Sequence, residues 1–280
     1  MHTIEIPERN IRIEMPEHWD ECSAIQRDYI LSEVSKTTSG NQTLNEFVIK
    51  LFIYLTGLKL STNYIVRNKK GYAQHINEKI TLLSEKLCHW PFTLKDGSFE
   101  PNYNSVVNPY PDLRFQNQSI KGPADLLQDL TFFQFRTALA DISELFKAQS
   151  TEILNQFIAT LYPDDDKEKQ QKIIQQTPSY RKQSILLWFT YCVNIIQSTA
   201  LEIQGSEIDF SVLFPKPTAS ESEASKPQTL NNLGWTALLF EVSESGVFGT
   251  TQETDSTNLY TILMFLLKKY QDNQKLKQRQ

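Results

Sequence analysis

The sequence predicts a mainly α protein: an irregular helical bundle with a short N-terminal β-hairpin and one or two short hairpins in a Pro-rich middle segment. Three observations predict it. Apolar residues recur with helical spacing near the end of the chain, at Trp235, Leu238, Leu239 and Val242, then at Leu259, Ile262, Leu263, Leu266, Leu267 and Tyr270. That is the stripe of a helix packed on one face. A Ser or Thr stands three residues before a Glu or Gln at Ser23/Gln26, Thr43/Glu46 and Thr131/Gln134. Each pair is a capping box, in which the hydroxyl accepts from a free helical N–H and the later side chain returns the bond. Four prolines, Pro91, Pro101, Pro109 and Pro111, interrupt residues 91–121 around two turn signals.

The elements follow in order. Ile4 shares one face of a strand with Ile6, and Ile11 does so with Ile13 and Met15, with Glu8, Arg9 and Asn10 between them. This alternation predicts a hairpin ended by Pro16. Helices are expected from Ser23 to about Lys36, and from Thr43 along Leu44, Val48, Leu51, Phe52 and Leu55 to a stop at Gly57. A third should cover residues 75–88, with Ile76, Ile80, Leu83 and Leu87 on one face. In the Pro-rich segment, Lys95-Asp96-Gly97 and Gln116-Asn117-Gln118 mark the turns of short hairpins. Thr131 should open a helix carrying Phe135, Leu139, Ile142 and Phe146. Further helices are expected at 151–162, 166–175 and from Pro178 to about Gln204. The Ser-, Glu- and Pro-rich stretch 214–227 reads as a flexible linker. The expected organisation is 1–90 (hairpin plus helices), 91–121 (irregular connection), 122–213 (helical domain), 214–227 (linker) and 228–280 (a C-terminal helical hairpin). In that last segment two helices should be joined by a turn holding Gly246 and Gly249.

Composition narrows the function classes. The 280 residues carry a net charge of −5, with 40% hydrophobic and 22% charged side chains. A mildly acidic chain has no general attraction for nucleic acid or anionic lipid, so neither partner is expected. Lys268, Lys269, Lys275, Lys277 and Arg279 form a basic end, read as cations complementing a helix C-terminus. Three scattered cysteines, Cys22, Cys88 and Cys192, fit a reducing compartment rather than a disulfide framework. The longest apolar run, 185–196, contains Thr190 and Asn194 and falls short of the roughly 20 residues of a membrane span. The first residues have no apolar stretch of signal-peptide type. A cytoplasmic location is expected, or a particle assembled in one.

No residue constellation points firmly to chemistry. Asp164, Asp165 and Asp166 follow Pro163 at a helix start, where carboxylates favour the helix dipole, and the run lacks the spacing of a calcium loop. Cys88-His89, and His18 with Glu21, lack the paired spacing of a zinc site. Cys192 lies within an apolar helix, where a thiolate is disfavoured. Ser245-Gly246-Val247-Phe248-Gly249 follows a helix rather than a strand and is no phosphate loop. The expectation is no catalytic residue, no metal and no cofactor. Two aromatic clusters, Trp188/Phe189/Tyr191 and Phe132/Phe133/Phe135, wrap around their helices; core is the default for each ring, with a partner contact as the alternative for some.

Four blocks in this order resemble proteins of tailed phages and prophages: residues 15–21 (with Pro16, Trp19 and Glu21), 122–135 (from Gly122-Pro123-Ala124-Asp125 to Phe135), 157–163 and 235–267. Those proteins belong to the virion or tail morphogenesis set, and some are tail assembly chaperones. The sequence departs from their pattern at Glu21-Cys22-Ser23 and in its Ser/Glu/Pro stretch. The resemblance transfers no catalytic residue. It implies protein–protein work during assembly in a host cytoplasm: holding apolar surface of a structural protein, such as a tail or length-setting protein, through a helix-in-groove contact. The residues expected to make it are Trp235, Leu239, Phe240, Val247, Phe248, Leu259, Tyr260 and Leu263. The alternatives are a permanent neck or tail adaptor within the virion, where a homo-oligomeric ring would be expected, and an enzyme with an unrecognised site.

Overall fold

The computed structural model describes residues 1–6, 10–58, 70–203, 205–214 and 235–277, with the side chains of Ile6, Ile11, 70–76 and Thr236 left aside. Among the described residues the chain is mainly α, with ten α-helices and four separate two-stranded antiparallel hairpins. The residues 215–234, which hold most of the expected linker, lie outside the described set, as do Glu8, Arg9, Gln204 and Arg279. Two compact units emerge: Met1–Pro109 with Pro178–Trp188, and Tyr110–Thr177 with Phe189–Gln280. The division falls inside the Pro-rich segment and within one helix.

In the first unit, β1 (His2–Ile6) and β2 (Ile11–Met15) pair with Ile4 opposite Ile13. A 3-10 turn, Trp19–Glu21, drops Trp19 into the core, where its indole N–H donates to the Asn102 carbonyl at 2.8 Å. Helices α1 (Ala24–Thr38) and α2 (Leu44–Thr56) both open with the expected capping boxes, and α2 ends at Gly57 with φ 65°. Helix α3 (Lys70–Leu87) begins five residues earlier than the apolar pattern indicated. The hairpin β3 (Phe92–Lys95) and β4 (Ser98–Pro101) turns at Asp96 and Gly97, both at positive φ. Phe47 of α2 is buried against Phe92 and Phe99. The Arg181 guanidinium holds Asp28 through two bonds of 3.0 and 3.1 Å.

The second unit begins with the hairpin β5 (Asp112–Phe115) and β6 (Gln118–Lys121). Helices α4 (Phe132–Ala148), α5 (Thr151–Leu161) and α6 (Lys167–Gln176) follow. The stripe on α4 is buried only as far as Ile142, and Phe146 is 73% exposed. Helix α7 (Ser179–Ser198) gives its residues from Phe189 onward to this unit. Its end corrects the sequence reading. The expected helix to Gln204 stops at Ser198, and β7 (Ala200–Ile203) and β8 (Ser206–Asp209) form a hairpin instead. Gly205 sits at φ 76°, a conformation glycine adopts without cost, and Leu201 pairs across the ladder with Ile208. Phe210 follows, fully buried. Helices α8 (Trp235–Glu244), α9 (Thr251–Ser256) and α10 (Leu259–Lys277) complete the unit. The expected two-helix unit is thus three helices, because Thr250 and Glu253 make a further capping box between Gly249 and α10.

The core of this unit is aromatic. Phe135 lies 6.2 Å from Phe189 and 5.1 Å from Trp235, and Phe157 lies 5.4 Å from Phe189, ring centre to ring centre. Tyr162 is fully buried, and its hydroxyl donates to the Tyr110 carbonyl at 2.6 Å. Its ring leaves no room at Gly122, where an added Cβ would sit 2.3 Å from Tyr162 Cε1. The buried ring cannot swing aside without losing its hydroxyl bond. Gly122→Ala is expected to destabilise the protein by about 1–3 kcal/mol, the usual cost of overpacking a filled core, measured by urea unfolding.

Asp141 is 4% exposed between α4 and α5. Burial pushes its carboxyl above the usual range, against the bonds from Thr160 and Gln156 that favour the charged form. Folding therefore makes this carboxyl hold its proton more tightly than it does in the unfolded chain. Its stabilising contribution is full below the ordinary carboxylate value and is lost as pH rises through the raised one. Asp141→Asn should raise stability at neutral pH and flatten the fall in unfolding midpoint on going from acid to neutral pH. A loss of stability at neutral pH would contradict this account.

Candidate interaction groove

The second unit presents a groove built where the start of α4 meets the C-terminal helices. Thr131 caps α4, accepting from the Gln134 N–H. Asn258 caps α10, its Oδ1 accepting from the Tyr260 N–H at 3.0 Å. A residue at a cap has an extended backbone rather than a helical one. The two caps therefore pair as a short antiparallel bridge. The Phe132 N–H donates to the Thr257 carbonyl, and the Leu259 N–H to the Leu130 carbonyl, each at 2.9 Å. The Tyr260 hydroxyl donates to the Leu126 carbonyl at 2.7 Å.

Beside this clasp lies an open concavity of about 650 Å³, lined by Thr131, Phe133, Arg136, Leu239, Phe240 and residues of α9. Phe133 and Phe240 are each 48% exposed, large rings left in water on a hydrogen-bonded frame. Between them Arg136 holds Asp255 in a two-pronged pair, Nε to Oδ1 at 2.8 Å and Nη2 to Oδ2 at 2.6 Å. Asp255 raises the Arg136 guanidinium further above its ordinary value. The same guanidinium lies 5.4 Å from the Phe133 ring centre, within cation–π reach.

The residues expected to contact a partner divide sharply. Leu259 and Leu263 are fully buried, and Leu239 and Tyr260 are 5% and 7% exposed. Leu259, Tyr260 and Leu263 pack in the core, while Leu239, though nearly covered, still lines the groove. Helical periodicity marks a buried face without saying what buries it. Phe240 and Val247 are exposed, the latter at 61%. Trp235 and Phe248 are partly covered: Trp235 against Phe132 and Phe214, Phe248 edge-on to Phe265. Of the exposed pair, Phe240 lines the groove. Phe133, one ring of the aromatic cluster on α4, also lines the groove and stands outside the expected contact set. The available signal was Arg136, which follows it by one helical turn and shares its face.

The remaining chemical candidates resolve into structure. Asp166 caps α6 by accepting from the Lys169 N–H, and Asp164 pairs with Lys169 at 2.5 Å, which holds its carboxyl below the usual range. Cys22, Cys88 and Cys192 are buried, and burial pushes each thiol up to about 12. His89 is exposed and lies 5.1 Å from the Phe92 ring. Gly246, at φ 71°, ends α8. Among the described residues no helix is long and apolar enough to cross a membrane.

No protein-family model, curated protein or solved structure matches the chain.

The Arg136–Asp255 pair fixes the groove floor, both side chains being about one-fifth exposed. Asp255→Ala leaves the guanidinium without its partner and should cost about 1–3 kcal/mol in urea unfolding, the range for hydrogen bonds to charged groups. Phe133→Ser, at a site open to water, should stay within about 0.5 kcal/mol of the parent.

Proposed function

We propose that this protein is a non-catalytic assembly protein of tailed-phage or prophage type, acting as a chaperone. It holds apolar surface of a virion or tail structural protein, such as an elongated length-setting protein, until that protein polymerises. The observation that carries the reading is the pair of exposed rings, Phe133 and Phe240, on the two walls of one groove. Exposed aromatics grouped on a firm frame are the usual anchors of a protein contact. A helix laid in the groove would cover both rings.

The sequence blocks behind the phage resemblance support the reading in a second way. The block 122–135 is joined to the block 235–267 by the clasp bonds at Phe132 and Leu259. The block 157–163 joins them through the Gln134 amide, which donates to the Thr160 carbonyl at 3.1 Å, and through Tyr162 against Gly122. Three segments scattered along the sequence thus form one interlocked frame, and the groove opens on it.

The test is co-expression with a tail length-setting protein from a tailed phage, followed by co-purification and affinity measurement. Each anchor ring at a contact centre is worth about 2 kcal/mol or more. The double variant Phe133→Ser/Phe240→Ser should then bind at least about thirty-fold more weakly and leave the partner insoluble. Unchanged affinity would remove the groove from the mechanism. Mass spectrometry of purified particles separates chaperone from adaptor: stoichiometric presence in the virion would replace the chaperone reading by a permanent structural one.

A further inference from the structure

His18 and Glu21 do not stand alone in the folded first unit. Among the described residues Glu17, His18 and Glu21 bring one ligand-type atom each within 4.8 Å of one another. His2, on β1, adds a second imidazole: its Nδ1 lies 3.2 Å from Glu17 Oε2. His18 Nε2 lies 3.1 Å from Glu21 Oε1. The hairpin register makes this meeting possible, because His2 stands opposite Met15, two residues before Glu17.

The donors are held in place. Met15, Trp19 and Cys22 are buried and pin the segment from beneath. The Glu17 N–H donates to Glu21 Oε2 at 3.0 Å, which fixes that carboxylate and turns Oε1 toward His18. Bonds of this kind orient the ligands of metal centres. The donor atoms themselves stay open to solvent, with side chains 20–50% exposed, so an ion has a way in. A positive group already lies between the two carboxylates: the Met1 ammonium is 2.7 Å from Glu17 Oε1 and 2.5 Å from Glu21 Oε1.

We propose that Glu17, His18 and Glu21 form the core of a binding site for a divalent transition ion of the zinc or nickel type, with His2 swinging in from β1 as the fourth ligand. Two imidazole nitrogens and two carboxylate oxygens are the mixed donor set such ions prefer, whereas calcium and magnesium take oxygen almost alone. With metal–ligand bonds of about 2.0–2.2 Å, neighbouring donor atoms stand roughly 2.8–3.5 Å apart. The His18–Glu21 and His2–Glu17 separations fall in that interval; the donors of Glu17, His18 and Glu21 already lie within 4.8 Å of one another, and His2 joins them by rotation of its side chain. The ion displaces the ammonium and takes its place between Glu17 and Glu21. It then ties β1 to the turn Trp19–Glu21, a clamp independent of the groove on the second unit.

The experiment uses the full chain, untagged and freed of metal with chelator. Zinc is titrated by calorimetry, and cobalt by its visible absorption, which reports coordination number. One saturable equivalent is expected, with a rise in the unfolding midpoint. His18→Gln and Glu21→Gln should each weaken binding at least about tenfold, the scale seen when even outer-shell groups are lost. The double variant should lose the midpoint rise while its far-ultraviolet circular dichroism stays that of the parent. Absence of a saturable equivalent overturns the proposal, as does undiminished zinc affinity in the double variant.

Discussion

The second unit depends on a meeting of two helix caps. Thr131 and Asn258 are each the residue before a helix, and each needs an extended backbone to serve as a cap. Extended residues can pair, and these two do. The pairing joins segments some 130 positions apart, as the bond from Asn258 to the Gln128 carbonyl records. Closing so long a loop has an entropic cost that grows only slowly with length, and it is met once. After closure, Phe132 and Leu259 sit with both backbone and side chain satisfied, and α4 and α10 leave the clasp from fixed origins. The groove follows from this. Phe133 and Arg136 are held on one face of α4 because Phe132 and Phe135, on the neighbouring face, are fully buried. Asp255 then arrives one turn before the cap of α10, at a place where the guanidinium can meet it.

Local signals along the chain were legible where the physics is local. The capping boxes at Ser23, Thr43 and Thr131 open helices in the structure, because hydroxyl and acceptor spacing determine them without tertiary help. The hairpin turns at Asp96 and Gln116 take positive φ, as turn residues do. Two elements escaped for opposite reasons. Helix α9 has only six residues, too few for periodicity to register, although Thr250 and Glu253 carried the same cap signature. The hairpin after Ser198 was hidden because Leu201, Ile203 and Ile208 continue an apolar pattern that a helix would also accept. Gly205 decides in favour of the turn.

The site was half legible. Periodicity identified the apolar faces of α8 and α10, yet Leu259, Tyr260 and Leu263 spend those faces on the core, and Leu239 divides its side chain between core and groove. What a stripe packs against is a tertiary fact and has no local signature. Phe240 was readable because it stands off the stripe of Leu238, Leu239 and Val242. Phe133 was obscured by its neighbours: three phenylalanines within four positions look alike until the helix phase is set, and the cap at Thr131 sets it. The ligand-type cluster at the N-terminus was legible only as His18 with Glu21, for a related reason. His2 and Glu17 lie far apart in sequence, and only the register of β1 on β2 brings them together.

The groove's polar floor bears on what it can recognise under the proposed function. Arg136 and Asp255 cancel each other's charge, so the floor carries no net charge, although the guanidinium keeps N–H donors beyond the two that Asp255 takes. A charged group docking there would lose water and gain no free counterion, an unfavourable exchange. Affinity would rest instead on covering Phe133 and Phe240, and orientation on the hydroxyl and amide groups of Thr251, Gln252 and Ser256 around the rim. Such a surface discriminates weakly among apolar helices, since one methylene changes binding only modestly. Weak discrimination suits a chaperone, which must hold many similar turns of a long repetitive helix and release them in succession. A permanent adaptor, seated once against a single neighbour, gains from charge complementarity that fixes register, and the neutral floor supplies none. Under the proposed function, the charge that the Arg136–Asp255 pair cancels fits transient holding better than permanent seating.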